Sequence, residues 1–214
     1  MIIEQIPMDS DVLSNSFILK DEKTGACAIA DPGGCTEGLV EAVEREKDNI
    51  KYILLTHGHF DHILALPFVK EKTNALVAIG EGDAICLKSR VYNLMERFNV
   101  DAPFTETEPD IILKDGDKIK IGESEITALS VPGHSAGGFV FVDEDGRNII
   151  TGDTLFRSTV GRTDGIGGSD EELRKSLVKL ISLDGDYDIY PGHGPKSELS
   201  HERVRNIYIR RMNK

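Results

Sequence analysis

Five of the six histidines in this 214-residue chain stand in turns that close apolar runs, and that placement constrains the chain more than any bulk property does. The run Tyr52-Ile53-Leu54-Leu55 reads as a buried strand and leads directly into Thr56-His57-Gly58-His59-Phe60-Asp61-His62. With the loop extended at its start, alternation sends His57 and His59 to one side, and Gly58 lets the backbone turn without a Cβ clash. Asp61 and His62, being adjacent, address a second position. Val131-Pro132-Gly133-His134 and Tyr190-Pro191-Gly192-His193 repeat one design, an apolar strand ending in a tight turn and a histidine. Between them Ile149-Ile150-Thr151-Gly152-Asp153 ends another strand in a carboxylate, whose two oxygens suit it to bridging two cations.

Imidazole and carboxylate are the ligand types that borderline and hard divalent ions prefer. A single histidine in a turn is ordinarily a surface or hydrogen-bonded group, and His-x-His alone is a weak pattern. The ordered set of His57, His59, Asp61, His62, His134, Asp153 and His193 is instead read as a metal centre. His201 stands outside it and is assigned to the surface of the last helix.

Short β-type runs at 2–6, 17–19 and 26–30 are separated by polar turns, with 21–25 resembling a hairpin. Thr36 caps a helix to about residue 47, with Leu39, Val40 and Val43 at helical spacing. Further helices are expected over 63–72 and 84–98, around a strand at 76–79. Strands follow at 118–121, 125–130, 139–142 and 148–151, and a capping box at Ser169-Asp170-Glu171-Glu172 opens a helix to about 181. After a last strand at 187–190, Val204, Ile207, Tyr208 and Met212 give an apolar face to a C-terminal helix. Arg203, Arg205, Arg210, Arg211 and Lys214 read as its solvated basic face, favourably placed near the helix C-terminus. Helices set among two groups of strands imply an α+β layered sandwich, one domain over 1–214.

His57-Gly58-His59-Phe60-Asp61-His62, then His134, Asp153 and His193 in that order, resembles the signature of the metallo-β-lactamase superfamily over nearly the whole chain. The resemblance implies a four-layer αβ/βα sandwich of two mixed sheets with helices on the outer faces. It implies two divalent ions, zinc first and iron or manganese as alternatives. His57, His59 and His134 would hold one ion and Asp61, His62 and His193 the other, with Asp153 bridging. Asp61 and Asp153 are also read as the catalytic carboxylates, and Asp31, in Asp31-Pro32-Gly33, is similar to the family's support residue beneath the ligand loop. Gly152-Asp153-Thr154-Leu155-Phe156 with Gly161-Arg162-Thr163-Asp164 is similar to the glyoxalase II branch, whose members hydrolyse hydroxyacyl-glutathione thioesters. The chain departs from that branch at Ile63-Leu64-Ala65-Leu66, where Ala-Gly-Gly-Asn is expected, and carries no counterpart of the C-terminal helical domain that supplies basic glutathione contacts. A small glyoxalase II-like thioesterase, weakly selective for the thiol half, is the expectation. Arg157 and Arg162 are candidate substrate contacts through bidentate carboxylate binding.

The formal charge of −12 and the lack of a basic stripe interleaved with aromatics argue against nucleic acid. No apolar run is long enough for a bilayer span, and no signal segment opens the chain. Cys27, Cys35 and Cys86 are odd in number and widely spaced, which fits a reduced cytoplasmic setting. Cys27 reads as a small buried hydrophobe, and nothing near Cys35 would generate its thiolate. The partner is then a small thioester or related acyl substrate; no sequence pattern specifies an oligomeric state.

The expected chemistry is attack on a carbonyl by a hydroxide bridging both metals, since coordination lowers the pKa of water from about 15.7 to about 7. Two other readings use the same residues. One is a persulfide dioxygenase with a single iron on His57, His134 and Asp153, a facial His₂-carboxylate arrangement. The other is a non-catalytic metal-binding or sensing domain.

Overall fold

The computed structural model describes residues 1–7 and 13–212. In chain order the elements are β1 (Ile2–Ile6), β2 (Ser16–Lys20), β3 (Cys27–Ala30), α1 (Glu37–Glu46), β4 (Ile50–Leu54), α2 (Phe60–Ile63), α3 (Leu66–Thr73) and β5 (Leu76–Gly80). A 3₁₀ helix (Glu81–Lys88) precedes β6 (Ile111–Leu113), β7 (Asp117–Ile121), β8 (Ser124–Ser130), β9 (Phe139–Asp143), β10 (Asn148–Gly152), β11 (Leu155–Phe156) and β12 (Thr159–Val160). Then come α4 (Asp170–Ile181), β13 (Asp188–Pro191), β14 (Ser197–Glu198), α5 (Leu199–Arg205) and α6 (Ile207–Met212).

One sheet has the order β1-β2-β3-β4-β5-β6 and the other β14-β13-β10-β9-β8-β7. Both are mixed: β3 to β6 are parallel neighbours in the first, and β10 with β13 is the parallel pair of the second. Alternation along the strands builds the layers, because successive side chains leave a strand on opposite faces. Phe17, Leu19, Ala28, Ala30 and Leu54 point inward and meet Ile119, Ile121, Phe139, Phe141 and Ile150 of the second sheet. Ile18, Ile29, Ile53 and Val77 point outward against Leu39 and Val43 of α1 and Leu66 and Val69 of α3. Val140, Val142, Ile149 and Ile189 do the same against Leu173, Leu177 and Leu180 of α4 and Ile209 of α6. The expected four-layer αβ/βα sandwich is therefore present.

Thr36 caps α1 by accepting from the Leu39 amide at 3.3 Å, as its sequence signal implies. The capping box on α4 is half formed. Ser169 Oγ accepts from the Glu172 amide at 3.3 Å, but the Ser169 amide donates to the Gly133 carbonyl at 2.8 Å, tying the helix to the turn before His134.

Three expectations are corrected. The helix expected over 63–72 is split into α2 and α3, with Pro67 in the first turn of α3, where its missing N–H costs nothing. The stretch 84–98 is a short 3₁₀ helix followed by turns, with Leu94 and Asn99 at φ +70 and +50, values a helix cannot contain. The C-terminal helix breaks at buried Asn206, whose amide side chain donates to the Thr159 carbonyl and to Glu202 while its Oδ1 accepts from the Tyr208 amide. That break turns three of the four residues of the expected apolar face outward: Val204, Ile207 and Tyr208 are 63%, 49% and 43% exposed, while Met212 still packs against the core that Leu199 and Ile209 fill. Lys214, read with the basic tail, lies outside the described residues. Among the described residues, no helix is long and apolar enough to cross a membrane.

Candidate metal centre

Strand direction explains why residues 136 positions apart in the chain can meet (57 to 193). β8 runs antiparallel to β9 and β9 to β10, while β10 runs parallel to β13, so β8, β10 and β13 all end at one edge of their sheet. His134, Asp153 and His193 follow those three ends. Across the core, β4 delivers residues 56–62, and the Phe139 amide joins the sheets by donating to the Thr56 carbonyl at 2.7 Å.

The seven residues form three overlapping groups, His57–His59–His134, His57–His62–Asp153 and Asp61–His62–His193, each with its ligand-type atoms within 4.8 Å of one another. Nε2 of His134 lies 2.9 Å from Nδ1 of His59, and Nε2 of His193 lies 3.0 Å from Oδ2 of Asp61. Asp153 is central: Oδ1 is 3.4 Å from His62 Nε2, and Oδ2 is 3.6 Å from His134 Nε2 and 3.7 Å from His193 Nε2. Nε2 of His57, Nε2 of His62 and Oδ1 of Asp153 are buried without a hydrogen bond. Buried polar atoms are normally paired, and orphaned acceptors of this type, turned toward one another, fit a cation.

The surroundings fix the ring orientations. Thr56 Oγ1 donates to Oδ2 of Asp31 at 2.7 Å, so it must accept from Nδ1 of His57 at 3.1 Å, which turns the bare Nε2 of that ring to the centre. His62 Nδ1 lies 3.0 Å from the same Asp31 oxygen, and His134 Nδ1 lies 2.8 Å from the Arg162 carbonyl. Each contact places a proton on Nδ1 and turns Nε2 to the centre, the arrangement by which outer partners orient metal-binding imidazoles; at His62 a cation would displace the second proton that the surrounding carboxylates hold on the ring. Asp31 also accepts from the Thr56 amide at 2.8 Å, so one carboxylate contacts the backbone and hydroxyl of Thr56 and the ring of His62.

Electrostatics follow from burial and neighbours. Burial, with His62, His59 and His134 nearby, holds His57 well below the usual imidazole range, and burial with His134 puts His59 at about 3. Burial acts to lower His62, but the carboxylates of Asp31, Asp153 and Asp61 outweigh it and raise the ring well above its usual value. Burial opposes ionisation of Asp153 and Asp61, and the adjacent histidines outweigh it, keeping both carboxylates below their ordinary range.

Two glycines are needed for space. A Cβ on Gly192 would overlap Asp153 Oδ1 and His62 Cε1, so the Pro-Gly-His turn could not close on the centre. Gly58 has no positive φ; a Cβ there would overlap Cys86, so close approach, not turning, requires it.

Neither arginine candidate has its guanidinium among the seven. Arg162 pairs with Asp164 at 2.5 and 2.7 Å and lies over the Phe98 ring, touching the centre only through its carbonyl. Arg157 lines a shallow pocket with Asp188, Lys196 and His201. Two residues escaped the sequence reading. Thr56 is one, legible in retrospect as the polar end of an apolar strand. Asp83 is the other: buried, it accepts from the Gly58 amide at 3.0 Å and the Gly137 amide at 2.7 Å, joining the first ligand loop to the loop after His134. No motif surrounds Asp83, so no local signal marks it.

A family profile for the metallo-β-lactamase superfamily matches residues 10–193. The chain belongs to that superfamily. It is 33% identical to the hydroxyacylglutathione hydrolase GloC of Haemophilus influenzae over 98% of each chain. Among solved structures, the BLEG-1 B3 metallo-β-lactamase superposes with a TM-score of 0.89 at 29% identity, covering 97% of this chain and 99% of that one. TTHA1623, solved in a di-iron-bound form, superposes with a TM-score of 0.82 at 29% identity, covering 95% and 98%. Superfamily membership and the His/Asp set together make this a divalent-metal site of a metallo-hydrolase.

Proposed function

We propose that the protein is a binuclear metallo-hydrolase that cleaves hydroxyacyl thioesters. The observation that carries this reading is the central position of Asp153, facing His62 from one oxygen and His134 and His193 from the other. His57, His59 and His134 would hold one ion and Asp61, His62 and His193 the second, with Asp153 shared. Zinc is our assignment, with iron or manganese as alternatives; the di-iron form of TTHA1623 supports a paired site that accepts iron. When bound, such ions polarise a carbonyl and acidify water to a pKa of about 7.

The chain's own groups do the rest. Asp31, Thr56 and the Arg162 carbonyl hold three imidazoles with Nε2 inward. Asp61 and Asp153 stay ionised inside the site, so their oxygens are available to metal ions and as hydrogen-bond acceptors for water. A thiol leaving group has a pKa near about 8.5, so it departs as thiolate with little help, whereas a β-lactam nitrogen needs a proton delivered. The GloC relative supports the hydroxyacyl thioester. The three free thiols support a reducing, cytoplasmic setting.

The test is kcat/KM of the metal-loaded protein for lactoyl-glutathione, the same acyl group on coenzyme A, and a β-lactam, with an oxygen electrode on a persulfide. Thioester turnover at least about a hundredfold above the β-lactam, a barrier difference near 2.7 kcal/mol, is the expected result. Faster β-lactam turnover, or oxygen uptake with no thioester cleavage, would overturn it.

A further inference from the structure

A cleft of about 550 Å³ opens between α4, α6 and the loop 161–164, and none of the seven residues of the metal centre lines it. Its floor is apolar, made by buried Leu173 and Leu177, and the half-exposed Tyr208 and Met212 form one wall. Arg174 on α4 and Arg211 on α6 flank it. The volume lies within the range of small-molecule sites, about 300–1,000 Å³.

The charges around this cleft are not balanced. Asp164 is taken by Arg97 and Arg162, and Asp170 accepts from the Thr163 hydroxyl. Arg174 and Arg211 enter no hydrogen bond or ion pair among the described residues, although the chain carries a formal charge of −12 and carboxylates abound. A guanidinium is a rigid planar fork matched to carboxylate or phosphate oxygens. Two of them beside an aliphatic floor and a phenol ring make a site with one cationic end, suited to an anion, and one apolar end. The break at Asn206 creates it, because it turns Tyr208 out of the core and sets Arg211 beside α4.

We propose that this cleft binds an anionic amphipathic small molecule, with an apolar or aromatic body on Leu173, Leu177 and Tyr208 and a carboxylate or phosphate on Arg174 and Arg211. The site does not depend on the hydrolase reading.

The probes are 2-naphthylacetate, 2-naphthyl phosphate and, as a cation of similar body, 2-naphthylmethylammonium, titrated into the full metal-loaded chain and followed by probe fluorescence anisotropy. Saturable one-to-one binding of either anion, at least tenfold tighter than the ammonium, is expected, and the tighter anion names the preferred head group. R174Q/R211Q should weaken the anion at least tenfold and Y208A should weaken it several-fold; both alter exposed positions, so the thermal midpoint should hold. His57→Ala should leave binding intact. Equal binding of the ammonium, an unaffected double variant, or loss of binding in His57→Ala, which would put the anion on the metal centre, would each overturn the proposal.

Discussion

Asp31 holds His62 from outside the metal centre: its Oδ2 lies 3.0 Å from His62 Nδ1, and both groups are fully buried. The same carboxylate binds the amide and hydroxyl of Thr56, so one side chain orients the first and last histidines of the loop 57–62. Asp31 sits at φ +47, a left-handed conformation that Asn also tolerates. Asp31→Asn should therefore keep the backbone conformation while lowering metal affinity about 10–100-fold, the usual cost of losing an outer partner. Competition with a chromogenic chelator, alongside circular dichroism, checks it; unchanged affinity would remove Asp31 from its supporting role.

Elemental analysis should find two metals per chain at full loading. Asp153→Asn should weaken both positions, because its oxygens face both groups, whereas His62→Ala should empty the Asp61–His62–His193 position first. One tightly held ion, unchanged by added zinc, iron or manganese, would count against the pair.

His57→Ala should cut hydrolysis by more than about a hundredfold, as expected for loss of a group that fixes the catalytic electrostatics. Cys35→Ala and His201→Ala should keep near-normal turnover. Partial burial pushes the Cys35 thiol up, away from a reactive thiolate, and among the described residues the polar partners of His201 are Ser158 and Glu202, at 3.4 and 3.9 Å. An inactive Cys35 variant beside an active His57 variant would indicate covalent catalysis.

Asp83→Ala leaves two buried amides, those of Gly58 and Gly137, without an acceptor. A loss of about 2–6 kcal/mol is expected from two such penalties of about 1–3 kcal/mol each, read by urea denaturation. Asp83→Asn keeps one acceptor oxygen and should lose about half as much.

Glu46 gives the protein part of its acid response. Burial opposes its ionisation, but Lys20, Asn49 and Arg45 bind the carboxylate and bring it down to about 2. An unfolded glutamate titrates near about 4.3, so this stabilisation is complete above that pH and is lost as pH falls through about 2. Glu46→Gln should be less stable at pH 7 by about 1.5–3 kcal/mol, the range for hydrogen bonds to a charged group, and the gap should close between about pH 4.3 and about pH 2. A pH-independent gap in denaturation midpoints would refute the charge argument.

The sequence by itself determined what is local. Apolar runs, the turns that end them, Thr36 as a cap and the histidines at strand ends are legible because alternation and capping act over a few residues. The mixed His/Asp set named the centre for the same reason: ligand chemistry is carried by residue type. Tertiary structure decided what depends on partners distant in the chain. Strand order brings the ends of β8, β10 and β13 to one edge, and only then do His134, Asp153 and His193 meet. Asp83 became a brace because the fold lays two loops against it. Arg162 came to serve through its carbonyl because Asp164 takes its guanidinium. The last helix shows the limit of periodicity most directly: one buried amide side chain, Asn206, found better partners in Thr159 and Glu202 than a continuous helix allows, and so chose which face met water.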